Sequence, residues 1–219
     1  YVPYDYDGEK TYPVFTFLHG AGQRGDDGLA QVEAVVPHFF DDPATDAAFE
    51  SIVIAPQCPF EYRWVESDWG LGFYYLDDVP ESKPMQAYVK VLESVKETYA
   101  VDEDRFYVSG ISMGGYGTWD LLMRHGDIFA AGMPLCGGAD RKKADLLADI
   151  PIKTVHGTDD PEVPVTGTRR IYNAIIAAGG HKIIYTELEG YGHDVWTVTY
   201  SDPANIDWLF SHKLSDRAE

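Results

Sequence analysis

Two hydrophobic rhythms alternate along this chain. Short runs that are apolar nearly throughout recur: Val14-Phe15-Thr16-Phe17-Leu18, Ser51-Ile52-Val53-Ile54-Ala55, Arg105-Phe106-Tyr107-Val108-Ser109, Ile152-Lys153-Thr154-Val155-His156 and Lys182-Ile183-Ile184-Tyr185-Thr186. Runs of this kind, lacking strict polar alternation, suit parallel strands covered on both faces. Between them the apolar residues repeat at three- and four-residue spacing. Met85, Tyr88, Val89, Leu92, Val95 and Tyr99 show this best, with Lys90, Glu93, Lys96 and Glu97 on the other side. Ser82 is placed to cap that helix, and Pro84 fits its first turn. Further helices are predicted from Gly28 to Phe40, Met113 to Arg124, Gly167 to Ala178 and Pro203 to His212. The alternation predicts an α/β architecture, a mostly parallel twisted sheet with helices on both faces. Chemistry on such a sheet gathers on the loops beyond the carboxyl ends of its strands.

The segment from Gln57 to Ser82 follows neither rhythm. It carries Phe60, Tyr62, Trp64, Trp69, Phe73, Tyr74 and Tyr75 among acids and glycines. A loop of that length either serves a site or packs its rings beneath itself as a satellite core. With no internal repeat and no long linker, a single domain spanning residues 1–219 is the simpler expectation.

Composition narrows the functions. The chain has 17 basic and 36 acidic residues, a formal net charge of −19. A field of that sign repels phosphate backbones and anionic lipid surfaces, so neither nucleic acid nor membrane is an expected partner. The apolar stretch from Ile128 to Ala139 is about twelve residues, short of the roughly eighteen that a membrane span needs. Tyr1-Val2-Pro3-Tyr4-Asp5 has no secretory-leader pattern and the first residue is not methionine, so a soluble chain is expected and a secreted or periplasmic location stays open. Two cysteines, Cys58 and Cys136, lack metal-ligand spacing and read as buried free thiols. The residues leave the oligomeric state open.

The chemistry centres on Gly110-Ile111-Ser112-Met113-Gly114, which follows a strand run and opens a helix. A serine at such a sharp strand-to-helix turn is lifted above the sheet edge, where it can act as a nucleophile. It then needs a base and an acid to orient that base. His193, in Gly190-Tyr191-Gly192-His193-Asp194 after the last strand run, is the candidate base. His19 and His156 lie at strand ends as expected structural hydrogen-bonders. His38, His125 and His212 fall on predicted helices, and His181 precedes a strand. Asp159 and Asp160 compete for the acid role, and each could instead cap the turn before Pro161. Asp194 points the wrong way if His193 points inward. The Met113 N–H, at a helix N-terminus beside the nucleophile, is one expected donor to a developing oxyanion. The His19-Gly20-Ala21-Gly22 turn suits the second.

The combination resembles the α/β-hydrolase superfamily. It rests on Phe17-Leu18-His19-Gly20-Ala21-Gly22, Ala55-Pro56-Gln57-Cys58-Pro59, Gly110 to Asp120, Cys136-Gly137-Gly138, His156 to Pro164 and Gly192-His193-Asp194. More narrowly it resembles bacterial esterases grouped with predicted peptidases and related to feruloyl and acetyl-xylan esterases. The resemblance implies Ser112 as nucleophile, His193 as base and Ala21 with Met113 as oxyanion hole. It favours Asp160 as the acid, four residues after the histidine of a His-Gly-x-x-Asp pattern. Only about thirteen residues precede the first strand run, so the N-terminal strand region is expected to be short. A serine ester hydrolase needing no metal or cofactor is implied, acting on acetyl or hydroxycinnamoyl esters of plant carbohydrate. Gln57 and Trp64 are candidate substrate contacts. Small-molecule or polysaccharide esters are the expected partners. A serine peptidase of the same fold, or a non-catalytic carbohydrate-binding module, are the rival readings.

Overall fold

The computed structural model describes residues 1–33 and 50–218. Six strands form one sheet: β1 (Tyr12–Leu18), β2 (Ile52–Ile54), β3 (Val101–Ile111), β4 (Ala131–Leu135), β5 (Ile152–Gly157) and β6 (Ile183–Leu188). Their spatial order is β2-β1-β3-β4-β5-β6, and every neighbouring pair is parallel. The helices are α1 (Ala30–Glu33), α2 (Lys83–Thr98), α3 (Met113–Arg124), α4 (Thr166–Ala177), α5 (Trp196–Tyr200) and α6 (Pro203–Phe210). The five expected strand runs are all present. The predicted helix from Gly28 to Phe40 is described only as α1, and its remainder, with His38, lies outside the described residues.

Strand alternation explains the two layers of core. On β1, Val14 and Leu18 face one side and Phe15 and Phe17 the other, and all are buried. The first side is covered by α2, α3 and α4 through Met85, Tyr88, Leu92, Tyr116, Trp119, Ile171 and Ile175. The second meets Tyr200 of α5 and Ile206 and Leu209 of α6. Two buried hydroxyl pairs tie helix to sheet, Thr16 with Tyr88 at 2.7 Å and Ser109 with Tyr200 at 2.6 Å. Ser82 caps α2 by accepting from the Met85 N–H at 3.3 Å, with Pro84 in the first turn.

Two features depart from the expectation. The stretch around Ile128 to Ala139 contains β4, a strand that the apolar pattern concealed behind Gly132 and Pro134. Pro134 has no N–H to give, but its carbonyl accepts from the Thr154 hydroxyl at 2.7 Å. The aromatic loop does not build a satellite core, because Trp64, Val65 and Tyr74 join the main one. At the other edge, Val53 of β2 exchanges both backbone hydrogen bonds with Tyr1, at 3.0 and 2.8 Å. Among the described residues no strand precedes β1. Cys58 and Cys136 are free and buried, and burial pushes the Cys58 thiol up to about 12.

Candidate active site

All six strands run the same way, so all their carboxyl ends lie at one rim, and loops far apart in sequence meet there. Ser112 follows β3 directly. Its backbone, at φ 54° and ψ −117°, occupies a region that a side chain adopts only under constraint. The constraint is local and visible. The Ser112 N–H donates to the Leu135 carbonyl at 3.0 Å. A Cβ on Gly114 would stand 1.8 Å from the Leu18 carbonyl oxygen, so only glycine lets α3 start this close to β1.

His193 follows β6, and its Nε2 lies 2.8 Å from the Ser112 hydroxyl oxygen. Its Nδ1 lies 2.7 Å from Oδ2 of Asp160, which follows β5. A carboxylate only accepts, so Nδ1 carries the proton and Nε2 is left to accept from serine. The Trp196 ring stands edge-on to the imidazole at 5.5 Å.

Asp160 is held from several directions. Its Oδ1 accepts from the N–H groups of Glu162 and Val163 at 2.8 and 2.9 Å. Its Oδ2 also lies 3.1 Å from Nε2 of His156. That nitrogen faces the Val163 carbonyl too, at 3.0 Å, and with two acceptors before it must carry a proton. Burial alone would raise the Asp160 carboxyl, but hydrogen bonds from His156, His193 and the Val163 N–H outweigh it and hold the group well below the usual carboxylate range. Asp159 instead accepts from its neighbour Thr158 at an exposed position. Asp194 caps the start of α5 by accepting from Thr197.

The turn after β1 carries Ala21, the first residue of a single 3-10 turn, Ala21–Gln23. Ala21 and Met113 each stand at a helix start, where N–H groups have no acceptor inside the helix. His19 shapes this turn. Its Nδ1 donates to the Gly20 carbonyl at 2.6 Å, and its Nε2 accepts from the Cys58 N–H at 2.9 Å. Burial lowers its proton affinity, in keeping with a neutral ring.

A cavity of about 330 Å³ opens over Ser112, walled by Ala21, Trp69, Glu162, His193 and Trp196 among others. Two expected contacts are not on it. Trp64 is only 1% exposed, and its Nε1–H donates to the His19 carbonyl at 3.0 Å, so it supports the turn from beneath. The Gln57 amide is spent on the Gly28 N–H, the Gln23 carbonyl and Asp27. Trp69, Glu162 and Trp196 take their place on the wall. The sequence carried a usable signal for two of these, since Glu162 and Trp196 lie two and three residues beyond Asp160 and His193, Trp196 opening α5.

Known proteins agree with this architecture. A solved thermostable esterase is 36% identical over 97% of this chain and 58% of its own, with a TM-score of 0.86. The chain has the α/β-hydrolase fold and is similar to esterases. A bifunctional acetylxylan esterase/xylanase from Neocallimastix patriciarum is 31% identical over 83 residues, which is 38% of this chain and 12% of the relative. The chain thus spans little more than half of the first relative's length and about an eighth of the second's. A feruloyl esterase module from Clostridium thermocellum, solved with sinapinate, shares the fold at 17% identity and a TM-score of 0.66, over 97% of this chain and 82% of its own. The prolyl oligopeptidase family profile matches residues 79–154. Among the described residues no helix is long and apolar enough to cross a membrane.

Proposed function

We propose that residues 1–219 form one catalytic domain, a serine carboxylic-ester hydrolase that works through an acyl-enzyme on acetyl or hydroxycinnamoyl esters of plant carbohydrate. One observation carries the reading: an unbroken hydrogen-bonded line from the Ser112 hydroxyl through His193 to Asp160, at 2.8 and 2.7 Å. Ser112 Oγ attacks the ester carbonyl carbon as its proton passes to His193 Nε2. Asp160 fixes the imidazole tautomer and stabilises the imidazolium that forms. The N–H groups of Ala21 and Met113 receive the oxyanion, and one such donor contributes roughly 2.7–4 kcal/mol. His193 then gives its proton to the departing alcohol oxygen, and the carbon–oxygen ester bond breaks. Water enters, loses a proton to the same nitrogen and releases the acid from Ser112. The acyl-group assignment leans on what the acetylxylan and feruloyl relatives are named for, and on the two indole walls of the cavity.

Ser112→Ala is expected to lower turnover of p-nitrophenyl acetate and methyl ferulate by about 10⁶, as removal of a triad serine does elsewhere. A fluorophosphonate probe should label the native protein and not the variant. A loss of tenfold or less would remove Ser112 from the mechanism. The prolyl oligopeptidase match favours a peptidase as second reading, and faster turnover of a peptide anilide than of either ester would establish it.

A further inference from the structure

A second, smaller depression lies on the same rim. It measures about 30 Å³ and is lined by Phe73, Tyr75, Ala139, Arg141, Gly167 and Arg170. One water needs about 10–15 Å³ on this scale, so the space admits a carboxylate-sized group and not a sugar ring.

Its arginines are the unusual feature. The chain has eight arginines. Six donate to a carboxylate, a hydroxyl or a backbone carbonyl: Arg24, Arg63, Arg105, Arg124, Arg169 and Arg217. Among the described residues Arg141 and Arg170 make no such bond, and both line this depression. Both are exposed to solvent, in a chain with 36 acidic residues. Two acids of the neighbouring segments are engaged elsewhere. Asp140 accepts from the N–H groups of Leu76 and Lys142, and Asp77 pairs with Lys143 at 2.8 Å. A third cation, the Lys142 ammonium, sits 4.1 Å over the Tyr75 ring, which meets Phe73 edge-on at 5.5 Å.

The two hollows share their walls' parent segments. Trp69 borders the catalytic cavity and Phe73 the smaller one, four residues along the same loop. Glu162, before α4, and Gly167, in the first turn of α4, do likewise. The segments touch, since a Cβ on Gly167 would stand 2.0 Å from the Gly72 carbonyl oxygen.

We propose that this depression is a carboxylate subsite, holding the acid group of a uronic-acid residue on the same carbohydrate whose ester is cleaved at Ser112. Guanidinium forks match a carboxylate geometrically, and the two at this depression are solvent-exposed and carry no protein partner among the described residues, so both are free to take one. The assignment rests on the esterase reading above for the identity of the carbohydrate.

The experiment compares acetylated xylo-oligosaccharides with and without glucuronic-acid side groups, on the native protein and on Arg141→Gln and Arg170→Gln. The native KM should be about tenfold lower for the acidic oligosaccharide, the scale of one charge-assisted bond. Either variant should abolish that preference, leaving kcat, the neutral KM and p-nitrophenyl acetate turnover unchanged. Added salt should erode the preference in the native protein. Equal KM values with normal p-nitrophenyl acetate turnover would overturn the subsite and leave the esterase reading intact. If no ester is turned over, calorimetry of the same oligosaccharides on native protein decides the subsite alone. Free glucuronate binding as tightly as the acidic oligosaccharide would also overturn it, by assigning the pocket to a small acid.

Discussion

Asp160 has every acceptor position in use, with two imidazoles on one oxygen and two backbone N–H groups on the other. Asp160→Asn replaces one oxygen by an amide that cannot accept from His193, so the imidazole is offered the wrong tautomer. Turnover should fall by about 10⁴, the loss seen for that change in serine proteases. Asp159→Asn should stay within about threefold of native, because only an exposed contact to Thr158 is altered. Steady-state kinetics on p-nitrophenyl acetate would separate them, and the reverse ranking would reassign the acid. The residues alone left this pair open for a physical reason. Both aspartates sit in one polar turn before Pro161, and which one faces His193 depends on a backbone rotation that composition does not encode. Ser112 was legible because its neighbours are forced, as the 1.8 Å approach at Gly114 shows.

At the scale of elements, the long aromatic loop is held to α3 by a buried polar network. The Tyr74 hydroxyl donates to Asp120 at 2.9 Å, and Arg124 pairs with the other carboxylate oxygen at 2.9 Å while donating to the Val79 carbonyl at 2.5 Å. Tyr74→Phe should cost about 1.5–3 kcal/mol in urea denaturation, the range for one hydrogen bond to a charged group. Asp120→Ala should cost about 3–5 kcal/mol, since it strands the partly buried Arg124. Both should raise KM more than they lower kcat, because Trp69 rides on that loop. An unchanged denaturation midpoint for Asp120→Ala would mean the loop is anchored elsewhere. The regular elements were readable from periodicity, as α2 and α3 demonstrate. β4 was not, because glycine and proline hide a central strand whose hydrogen bonds are completed by neighbours. That Trp69 lines the cavity while Trp64 lies buried beneath it was not legible for a related reason. Both indoles occupy one irregular loop, and without a repeating period nothing indicates which ring turns inward.

For the whole molecule, acid should act in two stages. Burial lowers the proton affinity of His19 and His212. The unfolded chain therefore binds protons below about pH 6.5 that the folded one refuses. Their contribution is complete above that value and declines beneath it. Asp160 is depressed too, so its contribution is present above the ordinary carboxylate value of about 3.9 and disappears as pH falls further. Relief of the −19 self-repulsion opposes both trends, but it is nearly common to native and variant proteins and cancels in their difference. Urea midpoints from pH 3 to 8 should show the gap between native and His19→Gln narrowing below about 6.5, and that between native and Asp160→Asn below about 4. A gap that does not vary with pH would contradict the assigned protonation states. Glu162, in the cavity wall, has a counterpart to this at the level of turnover. On the proposed reaction a neutral ester group enters the cavity and a fresh anion is born beside a carboxylate, inside a strongly negative body. On that reading the spent acyl group is expelled by its own charge, whereas a sugar held at the proposed subsite by Arg141 and Arg170 stays docked. Such a molecule would strip successive decorations from one polymer before letting it go.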